Sequence, residues 1–294
     1  MTPTVLTTRA PLHVVDAGGG GDPSDTFLFL HGYGSSSYMW RHWVGDFTAR
    51  GRVLLVDLKG FGDAPKPDDD RYSPYDFADA VTDFIMEHDL RRLTLVGQSL
   101  GGGIALLTAL RLLDEKGGDG PSRLHRMVLL APAAYRQRPP PFVWLSHRPR
   151  LATALIHLVG ARRILRWSMR SVVYDGASVT EDQVEAYARP WGSRDGLRAA
   201  LTAGRQIIPP DIETRTHRYG ELDVPTLLLW GDNDRVVPLR VGHRLERQLP
   251  DACLVVLHRC GHMAPDERPE ESLSATMRFL DEHPISETSS APTI

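Results

Sequence analysis

The chain has 294 residues, 41% hydrophobic and 24% charged, with 26 Gly, 22 Pro and 2 Cys. That composition excludes a collagen, a disulfide-stapled miniature and a largely disordered chain, and the length suffices for a sizeable core. A net charge of −3 gives no general attraction to nucleic acid or anionic lipid.

The N-terminal stretch MTPTVLTTRAPLHVVDAGG has no apolar core behind a basic start, so no cleaved secretory signal is expected. Short apolar runs, each closed by a turn signal, then read as strands: Phe27–Leu30, Val53–Asp57, Leu93–Val96, Met127–Leu130, Thr226–Trp230 and Leu254–Leu257, with Leu12–Val15 as an edge candidate. Continuous rather than alternating hydrophobicity marks parallel strands covered on both faces. Helical patterns fall between them at Tyr75–His88, which follows a Ser73-Pro74 start, and at Ser99–Glu115, Val241–Gln248 and Glu270–Glu282. Strands alternating with helices predict an α/β fold: a mostly parallel central sheet with helices on both faces. The charge-free stretch Leu93–Leu110 is long enough to span a membrane, but Gln98-Ser99 and Gly101-Gly102-Gly103 split it into a strand and a buried helix.

Between about 133 and 223 the rhythm changes. Helical segments at Arg150–Val159, Arg162–Val172, Glu181–Ala188 and Gly196–Gln206 predict a helical cap inserted in the sheet. The expected division is residues 1–133 and 223–284 as core, 134–222 as cap and 285–294 as a frayed tail. Asp114–Ser122 (DEKGGDGPS) reads as a flexible loop. Cys253 and Cys260 lack zinc-site spacing and read as two reduced thiols, which fits a cytoplasmic protein.

Gly97-Gln98-Ser99-Leu100-Gly101 matches G-x-S-x-G, with an apolar strand before it and a helix after it. That is the setting of a nucleophile elbow, in which a sharp turn holds the Ser hydroxyl clear of the sheet beside a helix N-terminus. A dinucleotide site would need G-x-G-x-x-G after the first strand, and the glycines at 18–21 precede no helix. His31-Gly32-Tyr33-Gly34 follows directly on the strand Phe27–Leu30.

With these two motifs the sequence resembles the α/β-hydrolase fold family over nearly its whole length. The resemblance implies a serine nucleophile at Ser99 and oxyanion donors at the Tyr33 and Leu100 N–H groups. It places the general base at His262, in Cys260-Gly261-His262-Met263 after the last strand. The loop Trp230-Gly231-Asp232-Asn233-Asp234 resembles the family's acid loop and puts the orienting acid at Asp234. Asp232 competes for that role and reads as a turn-stabilising residue. His31 reads as a structural histidine bracing its loop. The segment Asp57–Asp63 matches a family loop except that Asp63-Ala64 stands where a serine is common; it reads as structural.

Serine at the elbow argues against an epoxide hydrolase or dehalogenase, which would carry Asp there. It points to hydrolysis of carboxylic esters or related acyl compounds through an acyl-enzyme, with no metal or organic cofactor implied. Carbon–carbon hydrolysis, perhydrolysis and acyl transfer remain alternatives on the same residues. Such carbon–carbon hydrolases often have an aromatic residue after the catalytic His, where this chain has Met263. A non-enzymatic ligand-binding receptor is the rival from another class. Trp40, Trp144, Trp167, Val236 and Met263 are the candidates for an apolar acyl pocket.

Residues 135–170 hold eight arginines (136, 138, 148, 150, 162, 163, 166 and 170) and no Asp or Glu, which is +8 against −11 for the rest of a chain of net −3. One reading is a lid that packs its apolar side over the pocket and solvates its arginines. The other is a lid that docks on an anionic surface, such as lipid headgroups or an acidic carrier protein.

Overall fold

The computed structural model describes residues 3–115, 122–138 and 141–285. The described residues form one eight-stranded sheet of order β1-β2-β4-β3-β5-β6-β7-β8. The strands are β1 (Thr4–Leu6), β2 (His13–Gly18), β3 (Asp22–Leu30), β4 (Gly51–Asp57), β5 (Leu93–Gln98), β6 (Leu124–Leu130), β7 (Thr226–Gly231) and β8 (Ala252–Leu257). β1 pairs antiparallel with β2 and β2 with β4; all other pairings are parallel. Every strand read from the sequence is present, with no end displaced by more than five residues. The three-residue β1 carries too short a pattern to be read.

The continuous apolar runs of β5 and β7 are buried along their whole length. β8 departs from that expectation: it is the last strand of the sheet and stays half exposed, with Val256 at the surface. One core layer packs β3–β6 against α2 (Pro74–Glu87) and α3 (Leu100–Glu115). The other packs the opposite face against α1 (Val44–Thr48) and the C-terminal helix, and includes Phe27, Phe29, Trp40, Trp43, Phe47 and Phe279. α2 starts as the sequence indicates: Ser73 and Asp76 form a reciprocal capping box, and Pro74 occupies the first turn, where no N–H is needed. The apolar stretch Leu93–Leu110 divides into β5 and α3, and among the described residues no helix is long and apolar enough to cross a membrane.

Between β6 and β7 all the described elements are helical: α4 (Pro141–Trp144), α5 (Pro149–Val159), α6 (Ala161–Val172), α7 (Glu181–Ala188), α8 (Arg194–Gln206) and α9 (Ile212–Thr216), with short 3-10 turns between some of them. This is the cap. β7 is then followed by α10 (Leu239–Gln248), and β8 by α11 (Ala264–Glu267) and α12 (Pro269–Glu282). The expected flexible loop lies outside the described residues from 116 to 121, and the expected tail lies outside them from 286 onward. Cys253 and Cys260 are both free.

Candidate active site

The site lies where parallel strands end. In an open α/β sheet the carboxyl ends of the strands face a crevice that helices cannot fill. β3, β5, β7 and β8 all deliver their loops there.

The β5–α3 turn is strained by design of its neighbours. Ser99 has φ of +53°, a left-handed conformation that costs a non-glycine residue about 1–3 kcal/mol. The turn is held by three backbone bonds: the Ser99 N–H donates to Leu130 O at 2.9 Å, while Ser99 O accepts from Gly103 N at 3.0 Å and Ala133 N at 2.9 Å. Its tightness explains two glycines. A Cβ on Gly97 would lie 2.6 Å from Gly101 O, and one on Gly101 would lie 2.2 Å from Leu30 O. Only glycine lets α3 sit this close to β5 and β3.

After β8, His262 is buried, and its Nδ1 lies 2.7 Å from Asp234 Oδ2. The other oxygen, Asp234 Oδ1, accepts from the N–H groups of Val236 at 2.7 Å and Val237 at 2.8 Å. A carboxylate so held is an acceptor only, so His262 Nδ1 carries the proton and Nε2 is left with a free lone pair. Asp232, the competing acid, points elsewhere: it contacts His258 Nδ1 at 2.8 Å and accepts from Cys260 N at 3.3 Å.

His31 is fully buried with both ring nitrogens engaged. Leu58 N–H donates to Nε2 at 3.0 Å, so Nδ1 must be the protonated nitrogen that donates to Gly32 O at 2.8 Å. Burial lowers its pKa and keeps it neutral. It braces the loop after β3, the one expected to hold an oxyanion, as its sequence setting suggested. Asp57 is likewise structural, accepting from Ser37 N at 2.6 Å and Asp63 N at 2.8 Å. Among the described residues the single cluster with metal-ligand spacing is His13, Asp57 and Asp63, and those amide bonds already account for Asp57. Cys260 is buried, and burial pushes its thiol pKa far up, which makes it inert.

A cavity of about 470 Å³ lies between the strand ends and the cap. Ser99, His262, Tyr33 and Leu100 line it, as do Trp144, Trp167, Val236 and Met263. Among the described residues neither the Tyr33 N–H nor the Leu100 N–H has an acceptor. Trp40 does not belong to the cavity. The 3-10 turn Ser37–Trp40 carries it into the core on the far side of the oxyanion loop, fully buried, with its ring 5.1 Å from Phe29 and 5.6 Å from Trp43. Nearness in sequence to the His-Gly motif was a poor guide to which side of the loop it faces.

Two side chains not singled out from the sequence organise the site. Gln98 Nε2 donates to His262 O at 3.0 Å and ties the elbow to the histidine loop. Glu267 accepts from three backbone N–H groups: Gly261 at 2.9 Å, Met263 at 2.9 Å and Tyr174 at 2.6 Å. The available signals were a polar residue at the end of an apolar strand and an acidic run just after the histidine; neither says what the side chain would hold. The cap closes the arrangement. His262 N–H donates to Val172 O at 2.9 Å, and the Tyr33 hydroxyl donates to Ala200 O at 2.8 Å.

The chain matches the model of the "Alpha/beta hydrolase family" over residues 27–275. It belongs to the α/β-hydrolase family. It is 31% identical over 284 residues to a 2-hydroxy-6-oxononadienedioate/2-hydroxy-6-oxononatrienedioate hydrolase of Paraburkholderia phymatum, covering 93% of this chain and 92% of that protein. It is 27% identical over 246 residues to an uncharacterised hydrolase of Bacillus subtilis, YugF, covering 83% and 86%. A solved α/β-hydrolase fold protein from Burkholderia ambifaria superposes with a TM-score of 0.78 at 23% identity, over 94% of this chain and 97% of that one. The protein is a hydrolase.

Proposed function

We propose that the protein hydrolyses uncharged, largely apolar carboxylic esters through an acyl-enzyme on Ser99. His262 Nε2 takes the Ser99 proton as Oγ attacks the ester carbonyl carbon. The oxyanion that forms is held by the Tyr33 and Leu100 N–H groups. His262 then protonates the departing alcohol oxygen as the C–O bond breaks. Water, activated by the same nitrogen, releases the acid and restores Ser99. Asp234 fixes the tautomer of His262 and stabilises its protonated form.

The observation that carries the choice of substrate is the charge of the cavity. Among its described lining residues there is no Asp, Glu, Lys or Arg. A substrate carboxylate would be desolvated there without a counter-ion, at a cost of several kcal/mol. An ester with an apolar acyl chain meets no such penalty. Carbon–carbon hydrolysis is the second reading. The names of relatives such as the Paraburkholderia phymatum protein favour it, and those names describe acid substrates.

The test has two arms. A fluorophosphonate should label the protein covalently, and Ser99→Ala should abolish the labelling; an unlabelled wild-type protein overturns the serine mechanism. Medium-chain aryl esters should be turned over with kcat/KM at least about a hundredfold above that for a 2-hydroxy-6-oxo-dienoate, in keeping with an unpaired charge left in an apolar site. The opposite order of rates would assign the carbon–carbon chemistry.

A further inference from the structure

The cap helices α5 and α6 have two different sides. Ala152, Ile156, Ile164, Leu165 and Met169 turn inward and line the cavity. The arginines of α6 then divide by direction. Arg162 and Arg166 lie on the flank facing α7, where Arg162 pairs with Glu185 at 3.1 Å and Arg166 pairs with Glu181. Arg163 and Arg170 are exposed and bracket Trp167 at i, i+4 and i+7, which places all three on one outer stripe of the helix. Neither Arg163 nor Arg170, nor Arg150 on α5, has a carboxylate partner among the described residues.

The same outer side is apolar. Of nine exposed large hydrophobic side chains among the described residues, Trp144, Leu151, Leu158, Val159 and Trp167 fall within this short segment. Leu158 is 84% exposed and Leu151, one heptad earlier on the same helix face, is 50% exposed. Isolated exposed hydrophobics are ordinary, but a set concentrated on one segment marks an interaction surface. Trp144 and Trp167 are more than half exposed and also line the cavity, so they stand at its mouth.

We propose that this face docks on an anionic lipid bilayer, with the cavity mouth against the headgroups. Unpaired arginines meet lipid phosphates, the tryptophans sit at the headgroup level that their amphipathic rings favour, and Leu151 and Leu158 enter the acyl boundary. The rest of the chain carries a net −11, so an anionic bilayer repels it on balance and favours approach by the basic segment. Tryptophans at the cavity mouth beside leucines that stand out into solvent match the headgroup and acyl layers of a bilayer, which an acidic polypeptide alone does not offer. Docking stands apart from the ester reading; delivery of apolar substrate from the bilayer into the cavity rests on it.

The test is flotation of the full-length Ser99→Ala protein with phosphatidylcholine vesicles, with and without phosphatidylglycerol. Binding should require phosphatidylglycerol, weaken with salt, and blue-shift tryptophan emission. The added change Arg163→Ala/Arg170→Ala should weaken binding roughly thirtyfold, and Leu158→Ser should weaken it at least severalfold. In the Ser99 background of the natural chain, both sets should leave hydrolysis of a soluble aryl ester unchanged, since none of these side chains lines the cavity. Absence of vesicle binding, or binding indifferent to the arginines and to Leu158, overturns the proposal. Retention on immobilised polyglutamate without vesicle binding also overturns it and assigns the face to an acidic protein. Loss of fluorophosphonate labelling with vesicle binding intact would instead strike the ester reading alone.

Discussion

The loop after β3 and the loop after β8 each put a buried histidine at a strand end, and the two histidines do opposite things. His31 has both nitrogens committed to backbone groups, Leu58 N–H and Gly32 O. His262 has Nδ1 committed to Asp234, and its ring lines the cavity. Burial does not separate them, since both are nearly inaccessible. What separates them is whether a lone pair is left over. A histidine bonded at both ends is a brace; one bonded at one end, against a carboxylate, has a nitrogen with which it can act as the proposed base.

The contrast breaks most sharply at Asp234. Asp234→Asn should lower kcat on an aryl ester by about 10⁴, through the wrong tautomer, with the circular dichroism spectrum unchanged. Asp232→Asn, which loosens the His258 contact and the bond from Cys260 N, should change kcat less than about tenfold. The reverse ranking would move the acid to Asp232. A smaller effect is expected at Glu267. Glu267→Gln keeps the shape but weakens three amide bonds to the His262 loop and to Tyr174. A drop in kcat of about ten- to a hundredfold with little change in KM is expected, because a displaced base costs rate rather than affinity. Equal loss in KM would show that Glu267 shapes the cavity instead.

The smallest effect on turnover belongs to His31, where the readout is stability. Its folded pKa lies below the ordinary value, so between the two values the unfolded chain binds the extra proton and the folded chain does not. Stability therefore falls as pH drops below about 6.5 and levels off below the folded pKa. Urea denaturation of wild-type protein at pH 7.5 and 5 should show this loss, and His31→Asn should reduce the difference between the two pH values. An unchanged difference would mean that His31 is protonated in the fold.

Much of this was legible in the sequence because it rests on local pattern. The strands of the sheet centre announce themselves as continuous apolar runs, and the Ser99 turn announces itself by glycines where a Cβ has no room. Asp234 could be ranked over Asp232 from the loop's likeness to a family motif, and the structure separates the two by direction. The rest depends on contacts between distant segments. Nothing near Glu267 in the chain says that it will gather amides from its own turn and from Tyr174 of the cap. Nothing near Arg162 says that its partners Glu181 and Glu185 come from the following helix. Trp40 failed for the same reason: a single 3-10 turn decides which side of the oxyanion loop it joins.

The hydrogen bond from the Tyr33 hydroxyl to Ala200 O has a consequence for how such a protein can diversify. The oxyanion loop belongs to the core, yet its tyrosine is fastened to α8 of the cap, and Trp191 of the cap reaches back to Gly34 O at 3.3 Å. The cap is therefore not an interchangeable module. A foreign cap grafted between β6 and β7 would bring a new cavity wall and would also remove two supports of the loop proposed to hold the oxyanion. α4 and α5 carry neither of those ties nor the Val172 O contact to His262 at the end of α6, so they are the part of the cap where the cavity wall can change at least cost to the site. Descendants of this scaffold should vary around Trp144 and Leu158 long before they vary around Trp191 and Ala200.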